Sequence, residues 1–426
     1  FGALRAASRD WQESSPAPGA SLRCGLLGEH LSHSYSPEIH AMLGAYSYDL
    51  FEAPPEGLAD FLHGAAWDGL NVTIPYKRAV VPFCAALSPM AKQTGSVNTL
   101  VRRADGTLYG ANTDADGFRL LLKRGGGIAP GEKALVLGSG GASQTVQAVL
   151  RAQGAEVVVI SRRGPVTYDM IEQHADAQLV VNATPVGMYP GNGVSPLDLR
   201  RVPQCRCVLD LVYNPARTAL LQQAEQLGLR AENGLSMLAE QARCAAELFL
   251  QRPIDPARTA AVTDTLQKRM RSLILIGMPG AGKTTVGRLL AQRLGRDFFD
   301  ADEELERRFG CDIPTFFARE GEAAFRAEET ALLAELGKRS GCVIATGGGC
   351  VTRPENEPLL RQNAAVIWLQ RALDRLPVAG RPVSRCTTPE ALYAQRAAAY
   401  ARFSDGTADN NGTPDETVRQ ILEAWT

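Results

Sequence analysis

An α/β protein with parallel sheets, divided into more than one domain, is predicted by three features of this 426-residue chain. The apolar run at residues 273–276, LILI, feeds directly into the loop GMPGAGKT at 277–284. A second apolar run at 135–137 enters another glycine-rich turn at 138–143. Between residues 132 and 212, β-branched runs alternate with Ala-, Gln- and Leu-rich stretches, as expected of strands joined by crossover helices.

Strands are expected at 134–138, 157–161, 179–184 and 208–212. Helices are expected at 231–249 and at 256–269, the latter with Asp255 as its cap and Pro256 in the first position. Residues 23–101 read as short mixed segments, 404–414 as a polar loop, and 1–20 as a tail or linker rather than a signal peptide, the start being trimmed or preceded by other sequence. The length calls for two or three domains. A hydrophobic fraction of 45% and a charged fraction of 21% are those of a globular protein. A net charge of −1 provides no basic field for nucleic acid or an anionic membrane, and no apolar run reaches bilayer-spanning length. The nine cysteines are scattered. Only Cys205 and Cys207 lie close together, on one face of an expected strand, so reduced core thiols and a cytoplasmic protein are expected rather than zinc.

The 277–284 loop fits G-x-x-x-x-G-K-[ST] between strand and helix. The loop residues Gly277, Gly280, Ala281 and Gly282 can turn N–H groups toward the phosphates of ATP, with Thr285 following in the helix. Lys283 neutralises the β/γ end, and the Thr284 hydroxyl can ligate Mg²⁺. In the other glycine turn, Gly138, Ser139, Gly140, Gly141 and Ala142 approximate the dinucleotide fingerprint, with Ser143 in its third position. The following strand ends at Ser161-Arg162-Arg163, without the acid that NAD-selective sites carry. Paired guanidinium groups suit a 2′-phosphate, so NADPH is the expected cofactor. The stretch from 161 to 179 is short, with a single helix at 168–174, which abbreviates the adenosine side.

Four polar strings, HSYSP (33–37), NVTIPYK (71–77), VNT (97–99) and NTD (112–114), supply hydroxyls, amides, a lysine and an aspartate. That inventory suits a small polyhydroxylated acid. Together with SVNTL, NTDADG, GSGGAS, VNATPVGM, DLVYNP and GLSMLAEQA, in this order over residues 21–267, they make the chain resemble shikimate dehydrogenases. The resemblance implies NADPH reduction of the C3 ketone of 3-dehydroshikimate. Lys77 and Asp114 would be the catalytic pair, and Ser34 and Ser36 would hold the carboxylate. Thr73, Asn98 and Gln241 would meet the hydroxyls and ring. Tyr213 and Met237 would sit near the nicotinamide and substrate, with Tyr213 binding substrate, and Gly234 and Met237 would belong to the NADP site. His30 and Ala41 depart from the family's usual proline and asparagine. His30, His33 and His40 have no accompanying carboxylate or cysteine motif, so no metal is expected there.

Downstream, FFDAD at 298–302 is expected to be a strand end with Asp300 and Asp302 on one face. EAAFR (322–326), IATGGG (344–349), GRP (380–382) and Arg396 follow. Over residues 272–426 this assembly resembles shikimate kinase, with the nucleoside-monophosphate-kinase-like P-loop fold. By that resemblance, Asp300 and Thr284 face Mg²⁺, and Asp302 is the base at the shikimate 3-hydroxyl. Arg326 and Arg396 clamp the carboxylate, Gly347, Gly348 and Gly349 line the pocket, and Arg381 is a lid arginine reaching ATP.

The expected plan is a substrate domain at 21–116, completed by helices in 234–269, a Rossmann-like NADP domain at 117–233, and a kinase domain at 271–426. The expected function is conversion of 3-dehydroshikimate to shikimate 3-phosphate, with small-molecule substrates and neither nucleic acid nor membrane as partner. Competing expectations are a quinate-type dehydrogenase using NAD, a ligand-sensing regulator, and one active domain beside a scaffold. The presence of Lys77, Asp114, Lys283 and Asp302 argues against the regulator.

Overall fold

The computed structural model describes residues 22–31, 34–64, 66–376 and 388–425. The expected tail at 1–20, His33 and Arg381 lie outside them. The chain divides into two compact units. The first takes the described residues up to Pro185, with Pro196–Tyr213 and Gln223–Asp264. The second takes Val186–Ser195, Asn214–Gln222 and the described residues from Thr265 onward.

The first unit contains two sheets. The first is mixed: β1 (Arg23–Gly28), β2 (Ser47–Glu52), β3 (Gly69–Val72), β4 (Cys84–Leu87), β5 (Thr99–Arg102) and β6 (Leu108–Ala111), in the order β2-β1-β3-β5-β6-β4. β5 runs antiparallel to both β3 and β6. Leu27, Leu62, Trp67, Leu70 and Leu100 form part of its core. The second sheet is wholly parallel: β7 (Lys133–Leu137), β8 (Glu156–Ile160), β9 (Leu179–Asn182), β10 (Cys207–Asp210) and β11 (Arg230–Asn233), in the order β11-β10-β9-β7-β8. Central strands covered on both faces need apolar side chains on both, which is why KALVL, LVVN and CVLD read as unbroken runs. After β7 the chain goes to one side and then returns to the other, so the loop leaving β7 opens at the point where the strand order reverses.

The helices of this part of the chain include α1 (Ser36–Leu43), α2 (Asp114–Arg124), α3 (Gly141–Ala152), α4 (Leu235–Leu250) and α5 (Ala257–Met270). The helix expected at 231–249 is in fact β11 followed by α4. Parallel pairing of Arg230–Asn233 with β10 satisfies backbone groups that a helix would have satisfied internally. Gly234 then turns hard against the Leu211 carbonyl, where any Cβ would collide, and the Asn233 side chain accepts from Leu235 N at 3.0 Å.

The second unit has one parallel sheet, β12 (Ser272–Ile276), β13 (Phe298–Asp300), β14 (Val343–Ala345), β15 (Ala364–Gln370) and β16 (Gly406–Asp409), in the order β13-β14-β12-β15-β16. Its helices include α6 (Lys283–Leu294), α7 (Ala301–Phe309), α8 (Ile313–Leu336) and α9 (Pro389–Phe403). Two expectations fail here. β16 lies within the stretch read as loop, because an edge strand needs little apolar character and only Ala408 of GTAD is buried. The Asp300/Asp302 pair does not alternate along a strand. β13 stops at Asp300, whose carboxylate caps α7 by accepting from Asp302 N (3.0 Å) and Glu303 N (3.4 Å). Asp302 therefore stands on the first turn of a helix.

The eight described cysteines are free, and no described helix is long and apolar enough to cross a membrane. Burial pushes the Cys350 thiol up to about 12, and Cys24 likewise to about 12. Both should resist iodoacetamide at pH 8 in the native protein and react only after unfolding, as mass spectrometry of alkylated peptides would show.

Candidate active sites

In the first unit, Lys77 leaves the loop after β3 and Asp114 opens α2. Their side chains meet at 2.5 Å (Nζ to Oδ2), with 23% and 11% of each side chain exposed. The backbone holds Lys77 in place, its carbonyl accepting from Val97 N at 2.7 Å. The second oxygen of Asp114 accepts from Asn98 Nδ2 at 2.9 Å, and Asn98 Oδ1 accepts from Thr113 N at 2.7 Å. Gln241, on α4, joins through Asn98 Nδ2 at 3.3 Å. The carboxylate is thus held on both oxygens, and the ammonium stays partly exposed. Ser36 is buried at the start of α1, and its N–H donates to Ser34 Oγ at 3.2 Å. Thr73 N donates to Leu27 O at 2.9 Å, which ties that loop to β1.

Residues without a role from the sequence complete the network. Thr99 Oγ1 lies 3.1 Å from Thr113 Oγ1 and 3.2 Å from Asn98 Oδ1. Tyr48 donates to Asn71 Oδ1 at 2.8 Å and stacks on His40 with ring centroids 4.0 Å apart. Tyr48 has no local sequence signal, whereas Asn71 and Thr99 sit inside the strings noted above, without a role of their own.

His40 belongs to this layer as a core residue. Its Nδ1 is 2.6 Å from the Tyr46 hydroxyl, and burial lowers its pKa from the ordinary 6.5 to about 3. Between those values the unfolded chain binds a proton that the folded one refuses. Its stabilising contribution is complete above about pH 6.5 and declines as pH falls toward 3, by up to about 1.4 kcal/mol per pH unit. Urea midpoints between pH 7 and pH 4.5 should therefore fall more steeply for the parent than for His40→Leu; parallel profiles would refute this.

On the nucleotide side, the turn at 138–143 leads from β7 into the N-terminus of α3. Gly138 N donates to Ile160 O at 2.8 Å, and Ser143 Oγ donates to Gly138 O at 2.6 Å, which holds the turn closed. Ser139 and Gly140 are exposed, as are Arg162 and Arg163 just beyond β8, while Ser161 is buried. Tyr213 meets Tyr35 edge-on at 6.3 Å, and burial raises its hydroxyl pKa. Met237 packs in the core with Phe118 and Leu122.

The second unit carries a cavity of about 520 Å³ above the P-loop. Lys283 Nζ donates to the carbonyls of Gly277 (3.0 Å) and Met278 (3.1 Å), and the Thr284 hydroxyl donates to Asp300 Oδ2 at 2.6 Å. A hydroxyl beside a carboxylate at a P-loop is a donor set that fits Mg²⁺, whose remaining ligands come from phosphate and water. Across the cavity, Arg326 Nη1 donates to Glu329 Oε2 at 2.7 Å, and Arg396 Nη1 to Gly348 O at 3.0 Å. Burial raises the pKa of the Glu329 carboxyl despite the neighbouring Arg326. Asp302, Gly347, Gly348 and Gly349 line the same space, and so do Glu329 and Arg371, which the sequence reading missed. Gly349 lies against the Arg326 guanidinium, which a Cβ there would displace. Gly349→Ala should therefore raise the KM for the phosphoryl acceptor about tenfold, with little change in the ATP KM; an unchanged acceptor KM would contradict this placement.

Fold and sites together define a two-centre α/β protein, one unit built as a dinucleotide-type oxidoreductase and the other as a P-loop phosphotransferase. Residues 26–100 match the shikimate dehydrogenase substrate-binding domain, and residues 279–426 match shikimate kinase. The chain belongs to the shikimate dehydrogenase family over its N-terminal part and to the shikimate kinase family over its C-terminal part. A shikimate dehydrogenase (NADP(+)) of Methanopyrus kandleri is 38% identical over 261 residues, covering 53% of this chain and 89% of that protein. A shikimate kinase of Synechococcus sp. is 42% identical over 173 residues, covering 38% and 86% respectively. The solved shikimate 5-dehydrogenase of Thermus thermophilus, in complex with NADP(H) and shikimate, aligns with a TM-score of 0.53 at 36% identity, over 57% of this chain and 99% of that one.

Proposed function

We propose that this chain is a bifunctional enzyme that reduces 3-dehydroshikimate to shikimate with NADPH and then phosphorylates shikimate to shikimate 3-phosphate with MgATP. The supporting observation is that each unit brings together its own set of polar side chains: Lys77 with Asp114 in one, and Lys283, Thr284, Asp300 and Asp302 around one cavity in the other.

In the reduction, NADPH supplies the hydride. As the C3 carbonyl carbon accepts it, the Lys77 ammonium gives a proton to the oxygen, so no free alkoxide forms. Asp114 keeps that ammonium aimed, and Asn98 and Thr113 keep Asp114 from turning. Ser34 and Ser36 receive the substrate carboxylate, and Thr73, Asn98 and Gln241 its hydroxyls. The Gly138–Ala142 turn takes the pyrophosphate, while Arg162 and Arg163 take the 2′-phosphate. Tyr213, Gly234 and Met237 border the nicotinamide end.

In the phosphorylation, Asp302 accepts the proton of the 3-hydroxyl while Arg326 and Arg396 hold the carboxylate. Lys283 and the loop amides of Gly280, Ala281 and Gly282 stabilise charge on the transferring group, with Thr284 and Asp300 holding Mg²⁺. The test mixes the protein with 3-dehydroshikimate, NADPH and MgATP and follows NADPH loss beside ADP release. Both signals are expected. NADH serving as well as NADPH would count against the arginine tip, and silence of either signal would leave that unit as scaffold.

A further inference from the structure

We propose that Arg371 is an additional cation for the nucleotide polyphosphate, acting from the end of β15 rather than from the P-loop itself. This rests on the kinase reading above. Arg371 is the first residue beyond β15 and lines the same cavity as Lys283 and Thr284. Its Nη1 lies 3.4 Å from the carbonyl oxygen of Gly280, a contact at the long limit for a hydrogen bond. Its Nε is buried and makes no hydrogen bond.

Arg396, in the same cavity, donates to the Gly348 carbonyl at 3.0 Å, whereas two other arginines have carboxylate partners. Arg326 is paired with Glu329, and Arg361 with Asp405. Among the described residues, no carboxylate forms an ion pair with Arg371. A guanidinium has five donors in a rigid fork, and one distant carbonyl uses little of that capacity. A cation partly stripped of water without a counter-charge is costly until an anion arrives.

The anion that can arrive is set by position. Gly280 belongs to the loop whose N–H groups face phosphate oxygens, so a phosphate seated there comes within reach of a guanidinium already touching that loop. The planar fork then offers paired, charge-assisted hydrogen bonds. Lys283 rises from the helix side of the loop and Arg371 from the neighbouring strand, so the two charges would grip the chain of phosphates from different directions.

The experiment uses the full chain and the variants Arg371→Ala, Arg371→Gln and Arg371→Lys. MgATP is varied at saturating shikimate, shikimate is varied at saturating MgATP, and MgADP binding is measured by calorimetry. Arg371→Ala and Arg371→Gln should raise the ATP KM and the MgADP Kd about tenfold or more, with the shikimate KM within twofold of the parent. Arg371→Lys should recover a large part of the loss. Dehydrogenase turnover of the same preparations should be unchanged, and the retained shikimate KM reports that the substituted unit is folded.

An ATP KM within twofold of the parent for Arg371→Ala would overturn the proposal. So would equal losses for ATP and shikimate that lysine does not repair, since those mark a packing role beside Gly280. If the parent does not phosphorylate shikimate at all, the kinase reading fails, while the MgADP measurement still decides the role of Arg371.

Discussion

Lys77→Ala is expected to lower NADPH-dependent reduction of 3-dehydroshikimate by about 10²–10⁴-fold, the range for a positioned general acid. Shikimate phosphorylation by the same protein should stay within twofold. On the proposed mechanism, the Lys77 ammonium, 2.5 Å from Asp114 Oδ2, is the proton source for an oxygen receiving negative charge. Alanine removes the proton and leaves the buried Asp114 without its cation. The loss should fall on kcat more than on KM, because the oxygen needs the proton most as the alkoxide develops. Asp114→Asn should give a smaller loss, since the amide keeps the shape and the Asn98 contact but no longer holds the lysine by charge. A Lys77→Ala enzyme within fivefold of the parent kcat would remove Lys77 from the chemistry.

Lys283→Ala should reduce ATP-dependent phosphorylation by about 10²–10³-fold, comparable to losing one preorganised donor from a transition-state site, and leave NADPH oxidation intact. Lys283 donates to the Gly277 and Met278 carbonyls in this structure. Those bonds place Nζ at the mouth of the loop, ready for phosphate oxygens. The paired variants form a reciprocal control: each should silence one signal of the coupled assay and spare the other. A variant that silenced both would point to misfolding, and one that silenced neither would refute its assignment. Measured beside them, Asp302→Asn should preserve ATP binding while lowering turnover, which separates the base from the nucleotide site.

Much of the fold was legible in the sequence because parallel strands covered on both faces leave continuous apolar runs. KALVL, LVVN and CVLD were placed to within a residue or two for that reason. The misreadings share another cause. Arg230–Asn233 and Gly406–Asp409 lack an apolar pattern of their own and are strands only because β10 and β15 present free edges to pair with. Asp300 and Asp302 were read by strand periodicity, but the carboxylate of Asp300 ended the strand by capping a helix. The sites were legible where their chemistry is local: the P-loop, the glycine turn after β7, and the polar strings around Lys77 and Asp114. Glu329, Tyr48 and Arg371 were not, since none of them belongs to a short motif.

The order of motifs along the chain determined which two chemistries this protein holds, because phosphate-binding turns and their flanking strands are specified by residues adjacent in sequence. Tertiary structure alone decided which groups act together. Lys77 reaches Asp114 across 37 positions, Asn98 reaches Gln241 across 143, and Arg371 reaches Gly280 across 91. Hydrophobic periodicity reports which face of an element turns inward. The meeting of two polar groups depends on strand order, helix entry and the hydrogen bonds left unmade once the core has closed.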